Sequence, residues 1–102
     1  MNTFEQVYKL VSKIPEGKVT TYGTIAKKLG ISNPRVVGYA LHVNKDTDKV
    51  PCHRVVNREG ELANGYAFGG PGIQKQLLAH EGIKFNGSRV DLTNQLYSFT
   101  NS

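Results

Sequence analysis

The run GISNP, residues 30–34, constrains the fold more than any other part of the chain. Gly30 closes one helical pattern and Asn33-Pro34 opens the next, so a stop and a start are nearly adjacent. Glycine just past a last helical turn adopts the left-handed conformation at little cost. Asparagine at an N-cap, followed by proline at the first helical position, starts a helix with its exposed donors partly satisfied. Upstream, YGTIAKKL puts Ile25, Ala26 and Leu29 on one face. Downstream, PRVVGYALHVN gathers Val37, Ala40 and Leu41 into a stripe and leaves Arg35 outside it, in the first turn. Two short amphipathic helices joined this tightly form a helix-turn-helix pattern. Ordinary helical cores contain the same pattern, so it does not by itself establish a partner.

The 102 residues suit one domain with one modest core, spanning 1–102. A first helix is expected over residues 3–13, with Phe4, Val7, Tyr8 and Val11 inward, Leu10 and Ile14 widening the stripe, and Thr3 with Gln6 as a capping box. Pro15 and Gly17 break it, and Lys18 to Thr21 reads as extended. VPCHRVVNREGEL reads as two extended segments joined by a turn at NREG, with Cys52 near the first. ANGYAFGGPG is a glycine-rich loop of the kind that lets a ligand approach closely. Pro71 opens a final helix with Ile73, Leu77 and Leu78 inward, and Gly82 follows its last turn. The tail, about residues 86–102, reads as a loose hairpin or coil with a frayed end. The expected class is mainly α with a small β element, a winged helix-turn-helix type of domain.

Charge narrows the partner. Residues 18–58 carry eight Lys and Arg against Asp46 and Asp48, a net +6, while the remainder carries five basic and six acidic residues, a net −1. A central positive stripe suits a polyanion, most simply nucleic acid, although a solvated lysine surface has the same composition. No apolar run approaches the roughly 20 residues of a membrane span. MNTFEQVYKL lacks the basic-then-apolar order of a secretory signal. A single cysteine forms no internal disulfide and fits a reducing compartment, and it disfavours a cysteine-based zinc site.

That cysteine lies in VPCHRVV, between Pro51 and His53. A thiol is a useful nucleophile only as the thiolate, which a base oriented by a carboxylate can generate. Cys52, His53 and the pair His80-Glu81 supply those parts. Adjacent residues on a strand point to opposite faces, so His53 serves Cys52 directly only if the chain turns there, or else through a water. A small buried cysteine beside a satisfied core histidine fits the same residues. A cysteine protease is disfavoured, because so short a chain leaves little room for an extended cleft.

PCHRVV at 51–56, GG at 69–70 and LLAHEG at 77–82 resemble the active domain of the O6-alkylguanine-DNA alkyltransferases. IPEGKVTTYGTIAKKLG and PRVVGYALHVN resemble that family's helix-turn-helix, so the likeness runs from about Phe4 to about Phe85. It implies a protein that binds the minor groove of double-stranded DNA, flips out O6-alkylguanine and moves the alkyl group irreversibly to Cys52. In this likeness His53 deprotonates Cys52 through a water and Glu81 orients His53. Tyr22 helps turn the phosphodiester and donates toward guanine N3, and Arg35 fills the gap left by the flipped nucleotide. Asn44 pins the turn after the third helix. Lys27, Lys28 and Arg54, with Asn44, are expected on the DNA side. Val50, Pro51, Tyr66, Phe68, Gly69 and Gly70 are expected around the lesion. No metal or organic cofactor is implied, and the protein is expected to act as a monomer in the cytoplasm or nucleoid, or in the nucleus of a eukaryote.

Three departures from the family bear on this. Its usual N-terminal domain has no counterpart, because the likeness begins almost at Met1. Ala67-Phe68-Gly69-Gly70 stands where the family has Tyr-Ser-Gly-Gly, with Tyr66 one place earlier. Tyr39 replaces a glycine and is expected to pack on the preceding helix near Leu29. These features bring in the alkyltransferase-like proteins, short relatives that bind alkylguanine without repairing it and flag it for nucleotide excision repair. They have tryptophan or alanine in place of the cysteine. The alternative reading is therefore a lesion-binding protein with nucleotide excision repair partners.

Overall fold

The computed structural model describes residues 2–63 and 70–99, with the backbone alone for residues 70 and 71. Four helices and two small sheets make a mainly helical fold with a small β element, as the sequence predicts. Helix α1 is Thr3–Val11. Its cap is Asn2, not the predicted Thr3, because Asn2 Oδ1 accepts from Glu5 N at 2.8 Å and leaves Thr3 inside the first turn. It ends two residues earlier than predicted, where short-range bonds from Lys13 N to Leu10 O and Ile14 N to Val11 O tighten the chain.

Strand β1 (Thr20–Thr21) leads directly into α2 (Tyr22–Leu29). Thr21 caps α2 by accepting from Thr24 N at 3.1 Å, and Gly30 ends it in the left-handed region at φ 72°. Helix α3 is Arg35–His42, one residue later than Pro34 predicts. Asn33 still holds the entry, since its Oδ1 accepts from Arg35 N at 3.1 Å. Val7, Val11, Ile25, Val37 and Ala40 from these three helices close on one another in the larger core, joined by Val50, Cys52, Val55 and Phe99.

Strand β2 (Val55–Val56) pairs parallel with β1 in the register Thr20–Val55 and Thr21–Val56. Successive strand residues face opposite ways. Val55 therefore enters the helical core, while Val56 enters a second core with Val19, Leu78, Ile83 and Val90. The two-residue ladder is the seam between them. The turn expected at NREG is present at Asn57–Gly60, while β2 pairs with β1 and residues 61–63 beyond the turn are not a strand.

Helix α4 is Gly70–His80. Its inward face is Gln74 and Leu78, both fully buried, whereas Ile73 and Leu77, predicted inward, are 38% and 40% exposed. One residue of offset rotates a helical stripe by about 100°. The hairpin that the sequence suggests for the tail is present, and it is tied down over its described length. Strands β3 (Phe85–Asn86) and β4 (Arg89–Val90) form an antiparallel hairpin. Val19 N donates to Gln95 O and Tyr97 N to Val19 O, while Phe99 is buried in the helical core. Tyr39 does not pack on α2. It is 60% exposed and meets Phe4 of α1 edge-on, with ring centroids 5.7 Å apart.

Candidate active site and nucleic-acid interface

The chain between α3 and β2 is bent twice, and the bends set the site. Asn44, buried just past α3, donates from Nδ2 to Val50 O at 3.1 Å and accepts from Asp46 N at 3.0 Å. Cys52 N then reaches back to Val50 O at 2.7 Å around Pro51, whose φ of −74° and ψ of 72° are those of an inverse γ-turn. Proline's ring presets that φ. Cys52–Arg54 follow as one 3-10 turn, with Arg54 N donating to Pro51 O at 3.0 Å. The extended conformation predicted around Cys52 is thus replaced by a turn, in which successive side chains are spread about 120° apart. Cys52 and His53 are buried at 5% and 7% exposure.

Glu81, just past the end of α4, receives both residues that follow Cys52. His53 Nε2 lies 2.8 Å from Glu81 Oε2. Arg54 donates from Nε to Oε1 at 2.9 Å and from Nη2 to Oε2 at 2.8 Å, and from Nη1 to Ile14 O at 2.7 Å. Burial pushes the Glu81 carboxyl pKa up, but the hydrogen bonds and charges of Arg54 and His53 outweigh it and hold the group below its usual value. An ionised Glu81 makes His53 Nε2 the donor and leaves Nδ1 as the basic nitrogen. The arrangement is an imidazole paired with a carboxylate that an arginine fixes, in the same tight turn as the buried thiol.

Arg54 and Asn44 therefore leave the predicted DNA surface. Arg54 spends its guanidinium on Glu81 and Ile14, and Asn44 is buried in the backbone pin that the family likeness also implies. Gln74, not singled out from sequence, belongs to the site's support. Its Nε2 donates to His53 O at 3.0 Å and Val55 O at 3.2 Å, and its Oε1 accepts from Ala63 N at 2.9 Å. A polar residue four before Leu78 on a buried stripe was the available signal. Tyr8 is a second omission. Its hydroxyl donates to Ala40 O at 2.7 Å, and both Tyr8 and Tyr22 have pKa values raised by burial and then by electrostatic interaction with Cys52.

Tyr22 and Arg35 come together on an open hollow of about 380 Å³, lined also by Gly23, Pro34, Gly38, Asn57 and Arg58. Lys27 and Lys28 do not line it. They border a separate hollow of about 590 Å³ with Thr24 and the tail residues Leu96 to Phe99. Of the predicted lesion wall, Val50 and Pro51 are buried beside Cys52 and Gly70 opens α4, while Tyr66, Phe68 and Gly69 lie outside the described residues. Among the described residues no cluster of three His, Cys, Asp or Glu side chains is placed to hold a metal ion, and no helix is long and apolar enough to cross a membrane.

A profile of the 6-O-methylguanine DNA methyltransferase DNA-binding domain matches residues 2–83. The chain is 38% identical, over 99% of its length, to a bifunctional methyltransferase/endonuclease of Picrophilus torridus, but spans only 33% of that protein. It is 37% identical to a DNA base-flipping protein of Escherichia coli, covering 93% of the chain and 74% of the relative. It is 47% identical to a methylated-DNA–protein-cysteine methyltransferase of Saccharolobus islandicus, covering 76% of the chain and 49% of the relative. In structure it is similar to S. pombe Atl1 in complex with damaged DNA containing O6-carboxymethylguanine, at a TM-score of 0.83 and 32% identity over 96% and 99% of the two chains. It is also similar to Mycobacterium tuberculosis OGT in complex with DNA, at a TM-score of 0.73 and 36% identity over 80% and 49%.

Proposed function

The chain belongs to the O6-methylguanine-DNA methyltransferase family, and from that membership we propose that it binds duplex DNA carrying O6-alkylguanine and takes the alkyl group onto Cys52. The observation that carries this reading is the buried turn in which Cys52 is followed directly by His53, with His53 Nε2 at 2.8 Å from a carboxylate that Arg54 holds ionised. DNA enters against α3 through its minor groove. The damaged base is flipped out, which costs a few kcal/mol and less when the base is poorly paired. Arg35, exposed at the first turn of α3, fills the gap.

His53 Nδ1 takes the Cys52 proton through a water, and Glu81 stabilises the imidazolium. The thiolate attacks the alkyl carbon in line with the O6–carbon bond. A sulfur–carbon bond forms, the carbon–O6 bond breaks, and the electron pair stays on guanine, which takes up one proton in place of the one the thiol lost. Tyr22, whose pKa burial raises, donates toward N3 as charge develops on the base. The thioether has no route back, so each molecule turns over once. The protein acts as a monomer, in the compartment that holds the DNA, the cytoplasm or a nucleus. The test is the intact mass after mixing with a duplex bearing O6-methylguanine. A gain of one methylene on the peptide containing Cys52 is expected, and an unchanged mass at full lesion occupancy refutes transfer.

A second reading, lesion binding without transfer, is favoured by the near end-to-end match to S. pombe Atl1. It predicts tight, lesion-selective binding that persists in Cys52→Ala, with the lesion unaltered on release and nucleotide excision repair proteins as partners.

A further inference from the structure

We propose that the turn Asn57–Gly60 is a second DNA contact, in which Arg58 binds a backbone phosphate at the hollow that Arg35 also lines. The inference rests on the DNA-binding reading above and adds to it a surface outside the helix-turn-helix. Tyr22, Gly23, Pro34, Arg35, Gly38, Asn57 and Arg58 line the hollow, so the helix-turn-helix and the turn share it. Its lining is almost wholly apolar, although two of its seven residues are arginines. A deoxyribose ring presents C–H faces and carries an anion, so a sugar–phosphate unit matches an apolar hollow bordered by two cationic residues. Gly23 and Gly38 contribute no side chain to the lining, which lets a backbone approach closely.

The turn that carries Arg58 is fixed before any partner arrives. Asn57 Oδ1 accepts from Glu59 N at 3.0 Å and Glu61 N at 2.8 Å, and Asn57 Nδ2 donates to Glu61 Oε1 at 2.9 Å. Gly60 N donates to Asn57 O at 2.9 Å, and Gly60 O accepts from Val90 N at 2.8 Å. Gly60 has φ +83° and abuts the Val90 backbone, so no side chain fits there. A rigid platform lowers the ordering cost of a contact. Arg58 itself stands free of the fold at 89% side-chain exposure.

Its one described ion pair is with the neighbouring Glu59, Nε to Oε1 at 3.0 Å, itself 43% exposed. Such surface pairs hold weakly, and a phosphate competes for the same fork. Glu59 is thus an internal competitor for the site, and the two residues should act in opposite directions.

The test measures binding of an O6-methylguanine duplex over a salt series with wild type, Arg58→Gln, Glu59→Gln and Arg35→Ala. Arg58→Gln should weaken binding roughly five- to tenfold and make the slope of log affinity against log salt shallower by about 1. Glu59→Gln should tighten binding about twofold. A wild-type slope and affinity for Arg58→Gln, with Arg35→Ala impaired, overturn this inference and leave the DNA-binding reading standing. No duplex binding by wild type overturns both. Both substitutions lie on an exposed turn, and unchanged melting curves would show that the fold is intact.

Discussion

Arg35 and Arg54 belong to the same positive stripe, yet the fold uses them in opposite ways. Arg35 stands exposed at the first turn of α3, beside a hollow open to solvent. Arg54 is enclosed and held by three hydrogen bonds, two to Glu81 and one to Ile14 O. The contrast extends to their surroundings. The α2–α3 face presents Arg35 to solvent from a helix whose Val37, Ala40 and Leu41 are buried. The Cys52–Arg54 turn is tied by Asn44, Gln74 and Glu81 from three directions. A positive charge near a proposed DNA site is therefore not evidence of a DNA contact until its partners are known. Electrostatic attraction belongs to the exposed face, and preorganisation belongs to the turn.

Substitutions should separate the two regions by stability, and the largest effect is expected at Glu81. Glu81→Ala leaves Arg54 buried without its carboxylate, a loss of about 3–5 kcal/mol. For a domain of this size that lowers Tm by on the order of 15 °C or more, read by thermal melting. Gln74→Ala strands the His53 and Val55 carbonyls and the Ala63 N–H, and should cost about 2 kcal/mol in chemical denaturation. Acid should attack the same region. The folded Glu81 pKa lies below its unfolded value, so its stabilising contribution is complete above the unfolded pKa of about 4.3. That contribution is lost as pH falls through the lower folded pKa. Melting temperature should fall below about pH 4 more steeply in wild type than in Glu81→Gln.

On the exposed side the effects shrink. Tyr39→Ala removes the edge-on contact with Phe4 and should cost about 0.5–1 kcal/mol. Arg35→Ala should change stability by less than about 0.5 kcal/mol, because the side chain is exposed. It should nevertheless weaken binding of a lesion duplex about tenfold, with a smaller loss on undamaged duplex. If Arg35→Ala destabilised the fold as much as Gln74→Ala, the division drawn here would fail.

The same division decides what the sequence made legible. Helices α1 to α3 follow from apolar periodicity and from breakers at Pro15, Gly17 and Gly30, because their burial repeats every three or four residues. The thiol, imidazole and carboxylate were legible as residue types through the family likeness. Their support was not. Gln74, four before Leu78, is marked as a buried amide, but its partners lie on a turn distant in sequence and no local pattern names them. On α4 Leu78 is buried as expected, but Gln74 is buried in place of Ile73 and Leu77, because its amide bonds the His53 and Val55 carbonyls. The tail looked loose because its strands are two residues long, while its order comes from Gln95 and from pairing with Val19. Gln95 Oε1 accepts from Lys84 N at 2.7 Å, and its Nε2 donates to Lys84 O at 3.0 Å and to Asp91 O.

Single-turnover methyl transfer, followed at saturating O6-methylguanine duplex in wild type and His53→Gln, tests the central claim most directly. The account predicts one methyl group on Cys52 per wild-type molecule. It predicts a rate lower by about 10²–10⁴-fold in His53→Gln, with lesion binding retained. An unmodified Cys52 in lesion-saturated wild type, or an undiminished rate in His53→Gln, would contradict it.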